Sequence, residues 1–211
     1  MTAAKKSIHP KYLLPKGYLS FSQWSLWKKD PEEYKQRYFY GQEGFTNSGM
    51  DFGKIIADAL ENGTEDPMIQ MLIDVLPRYE VMEHPIDVKI KGVPIVGRVD
   101  TYSPKGFCFD EYKTGKRTKD GKAPWDIVKV RKHEQLPFYA LCLKKKHGSI
   151  SKKVRLHWIE TKEGEDGREL TGHIETFERV IEPWELKRME DSIVQVAKEI
   201  SDAYQKVAKS L

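Results

Sequence analysis

Three charged residues fall close together in the middle of the sequence. Glu111 and Lys113 lie two positions apart in the segment 107–113, whose apolar residues predict a strand. Side chains two apart on a strand point to the same side of a sheet, so this carboxylate and this amine should face the same way. The preceding strand is predicted to end at Gly97–Asp100, and a hairpin of about seven residues should bring Asp100 alongside. We therefore expect two carboxylates and one ammonium group to converge at a strand end.

This combination of groups predicts a metal site. Two carboxylates that face each other repel, and each raises the pKa of the other unless a cation lies between them. Mg²⁺ binds proteins through one or two carboxylates while keeping waters and accepting phosphate oxygens. Such an ion can polarise a phosphoryl oxygen and make its bound water acidic enough to attack. Lys113 adds a compact positive charge that can orient the nucleophile or stabilise charge on phosphorus. Together these groups could hydrolyse a phosphodiester bond.

The Glu-x-Lys triplet by itself carries little information. With 32 acidic and 36 basic residues in 211, about five acid-x-base triplets are expected by chance. Its surroundings make it informative, because a predicted helix that carries Gln135 and Tyr139, four apart and hence on one face, follows it. Two alternatives stay open. The three charges could form an ion-pair network on an exposed strand, and Tyr139 could be a core-edge residue hydrogen-bonded to Gln135.

The elements that must position these residues follow from the hydrophobic pattern. Ile86, Val88 and Ile90 alternate with polar residues, and Lys91-Gly92 supplies a turn into a second strand, so that residues 86–113 form a meander. Further strands are predicted at 154–159 and 173–181, and helices at 18–27, from Pro31 onward, at 51–60, 66–76 and 126–146, with a C-terminal helix at about 184–208. Pro137 must kink its helix or mark a first turn. The apolar stripe of the last helix favours packing on its own domain over a coiled coil.

Composition limits the broad class of protein. Hydrophobic residues are 39% and charged residues 32%, with 8 Phe, 5 Trp and 10 Tyr, which predicts a folded chain with a single domain over residues 1–211. Cys108 and Cys142 do not form a CxxC pair, which argues against a disulfide scaffold, a zinc ribbon or an iron-sulfur cluster. No apolar run approaches the roughly 18 residues of a membrane helix, and no secretory signal is visible. We therefore expect a cytoplasmic protein without a membrane partner.

Basic residues are concentrated in three short segments, although the net charge is only +4. These clusters could be solvated surface or could follow the phosphates of a nucleic acid. The residues predicted to bind substrate are Arg98, Lys116, Arg117, Arg131 and Lys132. His133 is interpreted as an ordinary surface histidine, with substrate contact as the alternative. Trp24, Trp27 and Tyr34 are expected in the core, with base stacking as the alternative.

Three segments in a fixed order resemble the PD-(D/E)xK nuclease superfamily, in its RecB-like exonuclease branch. They are Gly97–Asp100, Asp110–Lys116 and Gln135–Leu141. The opening segments Leu19–Ser22 and Asp30–Tyr34 look like the entry segment of the same branch. The resemblance covers roughly residues 18–142 and implies an α/β fold with a restriction-endonuclease-like mixed central sheet flanked by helices.

The resemblance also implies roles for individual residues. Asp100 and Glu111 would ligate Mg²⁺ or Mn²⁺ with the help of the backbone carbonyl of Tyr112. Lys113 would position or activate the attacking water. Gln135 and Tyr139 would support the site and the scissile strand.

The sequence departs from this family at two places. Many relatives carry a metal-binding histidine four residues after a glycine on the early helix, whereas here Gly53 is followed at that offset by Ala57. Glu61, one turn further on, could supply an oxygen ligand instead, and Asp58 is a weaker candidate. Asp30-Pro31 stands where some relatives have the Cys-Pro of an iron-sulfur site, so no cluster is expected.

These inferences lead to one principal hypothesis and two alternatives. The principal hypothesis is a metal-dependent nuclease, foremost a DNA exonuclease, of recombination, repair or phage DNA processing, with DNA as its partner. The first alternative is a catalytically inactive nucleic-acid-binding module on the same fold. The second is an interaction protein whose C-terminal helix recruits a larger machine. Assembly into a homo-oligomer, or with a recombination or replication protein, stays open.

Overall fold

The chain folds around a five-stranded sheet. The computed structural model describes residues 11–43, 48–151, 153–164 and 167–208. The strands are β1 (Val81–Ile90), β2 (Val93–Ser103), β3 (Cys108–Gly115), β4 (Lys153–Gly164) and β5 (Gly167–Val180). The helices are α1 (Phe21–Lys29), α2 (Pro31–Tyr38), α3 (Ser48–Asn62), α4 (Pro67–Val75), α5 (Ile127–Lys132), α6 (Gln135–His147) and α7 (Pro183–Ala208). None of the helices in these ranges is long and apolar enough to cross a membrane.

The sheet is mixed, as the resemblance to the superfamily implies. Its strand order is β1-β2-β3-β4-β5. The pairs β1–β2, β2–β3 and β4–β5 are antiparallel, and β3 and β4 are parallel. A parallel pair needs a crossover connection, which α5 and α6 provide between β3 and β4. The predicted α/β class with a mixed sheet flanked by helices is confirmed.

Several boundaries differ from the predictions. β1 begins at Val81, before the alternating residues start at Ile86. β2 continues to Ser103, so Asp100 lies within the strand and does not end it. The segment predicted as one helix over 126–146 is two helices, and Pro137 lies in the first turn of α6, where its missing N–H has no intrahelical partner to lose.

The first two helices each begin after a residue whose side chain caps the helix N-terminus. Ser20 accepts a bond from the backbone N of Gln23 at the start of α1, and Asp30 accepts one from Glu33 at the start of α2. These two helices contribute Trp24, Trp27 and Tyr34 to the main apolar cluster. The predicted core position of these aromatic residues is confirmed.

The sheet lies between two apolar clusters. In β4, Leu156 and Trp158 contribute to the main cluster with α1, α6 and α7, whereas the adjacent Ile159 packs in a second cluster with α3 and α4. Alternate residues of a strand face opposite sides, so the clusters cover opposite faces. The stripe of α7 that could have formed a coiled-coil seam is buried against the main cluster, with Ile193 and Ile200 fully inaccessible. The predicted packing of this helix on its own core is confirmed.

Candidate active site

β3 and the first residue of α6 bring three polar side chains into contact. Lys113 Nζ donates to Glu111 Oε1 over 2.6 Å and to Gln135 Oε1 over 2.8 Å. The amide of Gln135 also donates to Glu111 Oε1. Glu111 and Lys113 share a side of the strand, as the spacing predicts. Gln135 therefore joins the carboxylate and the amine from the neighbouring helix.

Asp100 reaches the same strand from β2. Its Oδ2 accepts a hydrogen bond of 2.6 Å from the backbone N of Tyr112. Burial, and then the neighbouring Glu111 carboxylate, hold the pKa of Asp100 well above its ordinary value. Burial also raises the pKa of Glu111, against the opposing effect of Lys113. Two carboxylates thus lie close together where water does little to stabilise their charge.

A pocket of about 320 Å³ opens beside these carboxylates, between α3 and the strands. It is lined by Gly53, Ile56, Ala57, Leu60, Glu83, Asp100, Tyr112, Lys113 and Thr114. Its lining combines an apolar helix face with charged groups from three strands. Ligand-binding pockets commonly have this composition, in which a few polar groups orient the ligand and an apolar surface excludes water.

The donor set fits a divalent cation. Glu111 is only 2% exposed, and its Oε2 has no hydrogen-bond partner among the described residues. A buried carboxylate oxygen without a partner, close to a second carboxylate, has the chemistry of a hard-cation ligand. The described part of the chain contains no group of three or more Asp, Glu, His or Cys side chains placed to hold a metal ion without other ligands. The fit therefore depends on Asp100, Glu111 and the backbone carbonyl of Tyr112, with water or substrate oxygens completing the ligands.

The structure places two further acidic residues near this pocket, and only one lines it. Glu83 lines the pocket with a side chain 13% exposed, whereas the side chain of Glu61 is 49% exposed and is not part of the lining. Arg98 Nη1 lies 3.4 Å from Glu83 Oε2 and 3.7 Å from Glu61 Oε2. The sequence prediction missed Glu83, because its strand was expected to begin at Ile86. An acidic residue on the strand that pairs with Gly97–Asp100 is the signal that could have found it.

The backbone at Glu83 has an unusual conformation. Its φ is 48°, in the left-handed region, and the pairing of β1 with β2 is interrupted there, between Met82↔Thr101 and His84↔Val99. Such a conformation is costly for a residue with a side chain. Burial raises the pKa of Glu83, while Arg98 opposes this change. The residue at this irregular position of β1 therefore provides a third carboxylate to the pocket lining.

Tyr139 lies against Gly97, and this contact explains the glycine. A Cβ at Gly97 would lie 3.2 Å from Tyr139 Cε1, closer than an ordinary contact. Tyr139 is 8% exposed, and burial is the largest cause that raises the pKa of its hydroxyl, with Glu111 and Asp100 adding to it. Tyr139 therefore stays protonated beside the two carboxylates.

The predicted substrate-binding residues divide into two groups. Lys116 Nζ lies 2.5 Å from Glu163, and Arg117 Nε lies 2.6 Å from Glu160. These two bases therefore have acidic partners on the surface, as Arg98 does. Arg131 and Lys132 are exposed on α5. Across residues 11–43, 48–151, 153–164 and 167–208, no ion pair involves Arg131 or Lys132.

His133 is half-buried and does not have the surface position expected from the sequence. Its ring makes an edge contact with Trp125, at 5.0 Å between centroids, and another with Phe21, at 6.4 Å. Burial, and then the nearby Lys113 ammonium, lower the pKa of His133 to about 4. The ring is therefore neutral near neutral pH.

Asp110, directly before Glu111, has a separate structural role. Its carboxylate is fully buried and accepts two hydrogen bonds from Arg155, from Nε at 2.8 Å and Nη2 at 2.6 Å. A two-point contact of this kind holds the carboxylate in one orientation and balances its charge. Asp110 is thus engaged by Arg155, with the His157 ring also 3.2 Å from its Oδ2, whereas Glu111 keeps one oxygen that no described residue contacts by a hydrogen bond.

Comparison with known proteins gives a family match and similar folds. The sequence model of the PD-(D/E)XK nuclease superfamily matches residues 25–210. Comparison with curated proteins finds no match. A phage-related exonuclease from Haemophilus somnus 129PT is similar in structure, with a TM-score of 0.56, 12% identity and coverage of 93% of this chain and 87% of that one. An alkaline exonuclease from Laribacter hongkongensis has a TM-score of 0.54 and 11% identity, over 92% of this chain and 93% of that one. At these identities the structural similarity shows the fold.

Proposed function

Because the chain belongs to the PD-(D/E)XK nuclease superfamily, we propose that it is a metal-dependent nuclease that hydrolyses phosphodiester bonds, acting on DNA as an exonuclease. The observation that carries this proposal is the environment of Glu111. One carboxylate oxygen is bound by Lys113 and Gln135, while the other is buried and has no hydrogen-bond partner in the part of the chain that the structure describes. Most buried polar atoms have a hydrogen-bond partner, so an unpartnered oxygen beside a second carboxylate favours a cation ligand.

Asp100, Glu111 and the backbone carbonyl of Tyr112 are the groups that would hold Mg²⁺ or Mn²⁺. When bound, such an ion polarises a phosphoryl oxygen and makes its water more acidic. The polypeptide contributes the fixed geometry. The hydrogen bond from the backbone of Tyr112 holds one oxygen of Asp100, and the contacts of Gln135 and Lys113 hold one oxygen of Glu111. The ligands are thus oriented by the protein itself.

Lys113 serves as a fixed positive charge. Burial lowers the pKa of its ammonium, but the adjacent Glu111 carboxylate more than offsets this effect and leaves the pKa raised. The group therefore stays protonated and acts as a donor to the attacking water or to the oxygens on phosphorus, where negative charge develops. Gln135 fixes the direction of the ammonium through its Oε1. Tyr139 closes the side of the site next to Gly97.

The nuclease activity is tested with two substitutions. Lys113→Ala and Glu111→Ala should each reduce Mg²⁺- or Mn²⁺-dependent DNA degradation by about a hundredfold or more, since the first removes a positive charge that stabilises the transition state and the second removes a metal ligand. Lys162→Ala is a matched control, because Lys162 is an exposed lysine paired with Glu169 on the surface. Circular dichroism confirms that the variants fold. Full activity in either site variant would contradict the proposal.

The exonuclease mode is supported by the similar structures, two of which are described as exonucleases. An exonuclease needs a free end, so the enzyme should degrade linear DNA and leave closed circular DNA of the same sequence intact. Equal cleavage of both forms would overturn the exonuclease mode but would leave the proposed nuclease activity in place. A role in recombination, repair or phage DNA processing follows from such an activity and belongs to the same proposal.

A second candidate function is motivated by Ala57. This alanine lines the pocket at the position where many relatives carry a metal-binding histidine. A nucleic-acid-binding module that has lost catalysis would bind DNA in a salt-sensitive way and cleave nothing with any divalent ion. Calorimetric titration with Mn²⁺ separates the two candidates, because only the nuclease requires the ion.

A further inference from the structure

A second pocket, of about 430 Å³, lies between the end of α5, the end of β5 and the start of α7. It is lined by Arg131, Glu178, Arg179, Val180, Trp184 and Glu185. The helix α5 leads directly into α6, whose first residue Gln135 contacts Lys113 and Glu111. Arg131, which lines this pocket, therefore lies four positions before Gln135 of the candidate active site.

Trp184 is unlike the tryptophans of the core. It is 62% exposed, whereas Trp24 is 1% and Trp158 is 0% exposed. The guanidinium of Arg188 lies over its ring, 5.5 Å from the centroid. An accessible indole with a cation beside it is a surface on which a flat aromatic ligand can stack.

A buried ion pair fixes the two sides of this pocket. Arg179 and Glu185 are each 6% exposed and are bonded to each other. Arg179 Nη1 also donates to the backbone oxygens of Val130, at 3.1 Å, and Arg131, at 2.6 Å, at the end of α5. Burying an ion pair is a poor source of stability, because desolvation offsets the attraction. Its structural effect here is to hold the end of α5 against the helix that carries Trp184.

The charge that remains available in the pocket is positive. Glu185 is neutralised by Arg179, and Glu178 lies 3.0 Å from Lys153. Arg131 is exposed, and the described part of the chain supplies no acidic partner for it. The pocket lining therefore contains an exposed aromatic ring and a guanidinium without an acidic partner among the described residues. A nucleotide has the complementary groups, a base with a π-face and a phosphate.

We propose that Trp184 and Arg131 form a subsite for one unpaired nucleotide of a single strand, with the base stacked on the indole and the phosphate bound by the guanidinium. The inference deepens the proposed nuclease function and rests on it for the identity of the ligand. The subsite predicts that the DNA substrate is single-stranded where it approaches the site of hydrolysis.

The test is binding of a fluorescently labelled oligo(dT) to the full chain, measured by anisotropy without divalent ions. Trp184→Ala should weaken binding by about 5- to 150-fold, as expected for the loss of one stacked base. Trp184→Phe keeps a ring and should retain more affinity than the alanine variant. Met71→Ala, a change at another exposed apolar residue, should bind as the wild type does.

Arg131→Ala provides a second measurement. Loss of one phosphate contact with a single strand should reduce the salt dependence, d log K/d log[salt], by about 0.7. The subsite would be overturned by unchanged affinity in Trp184→Ala. An unchanged salt slope in Arg131→Ala would overturn it as well, because the proposal needs both residues.

Metal-dependent hydrolysis by the wild type is measured in parallel. Hydrolysis without any effect of Trp184 on binding overturns the subsite alone. Binding that depends on Trp184, without hydrolysis, supports the subsite and overturns the proposed nuclease activity.

Discussion

The half-buried His133 should make the protein sensitive to acid. Its pKa falls from the ordinary value of 6.5 to about 4 in the folded chain, first through burial and then through Lys113. A group whose folded pKa is lowered in this way takes up its proton more readily in the unfolded chain. The stability that the neutral ring contributes is therefore present above about pH 6.5 and is lost as the pH falls toward about 4.

The size of this effect follows from the two pKa values. A shift from 6.5 to about 4 corresponds to about 3 kcal/mol of unfolding free energy when it is fully expressed. Between about pH 7.5 and about pH 5 the linkage relation gives about 2 kcal/mol. His133→Phe keeps an aromatic ring against Trp125 and removes the proton-binding group, so this part of the pH dependence should disappear.

Urea unfolding of the wild type and of His133→Phe at these two pH values measures the effect. The loss of unfolding free energy on acidification should be about 2 kcal/mol smaller in the variant. His173→Phe changes an exposed histidine and should lose as much stability as the wild type. Equal losses in wild type and His133→Phe would refute the inference that this ring is held neutral.

Three further predictions follow from single contacts. Ala57→His places an imidazole on the pocket lining, where many relatives have one, and should tighten Mn²⁺ binding by about tenfold in calorimetric titration; weaker or equal binding would contradict the position assigned to Ala57. Arg155→Met removes both guanidinium hydrogen bonds from the buried Asp110, leaving only the His157 ring within ion-pair distance among the described residues, and should cost about 3–5 kcal/mol in urea unfolding, whereas a loss below about 1 kcal/mol would contradict this role. Gly97→Ala brings a methyl group to 3.2 Å from Tyr139 and should lower DNA degradation with the fold retained by circular dichroism; wild-type activity would show that the position of Tyr139 does not matter.

The arrangement of the site could be predicted where local periodicity determines it. Alternation along a strand places Glu111 and Lys113 on one side, and the structure shows their contact. Helical spacing places Gln135 and Tyr139 on one face, next to β3 and Gly97. The order of these segments was enough to indicate the superfamily, because each segment carries its own local pattern.

Features that depend on distant contacts could not be predicted. Glu83 is itself a left-handed residue of β1, and Pro85 lies two positions further on, so this part of the strand shows no regular alternation of apolar and polar residues. The burial of His133 arises from Phe21 and Trp125, which approach it from other segments. Glu61 was chosen by helical spacing from Ala57, but spacing does not show that its side chain is half exposed beside Arg98.

Calorimetric titration of the metal-free protein with Mn²⁺ tests the central claim most directly. The wild type should bind the ion, and Asp100→Asn and Glu111→Gln should each abolish detectable binding, because each removes one of two carboxylate ligands. Glu169→Gln, which changes an exposed acidic residue paired with Lys162, should bind as the wild type does. Binding that persists unchanged in Asp100→Asn and Glu111→Gln would contradict the metal site, and with it the proposed chemistry.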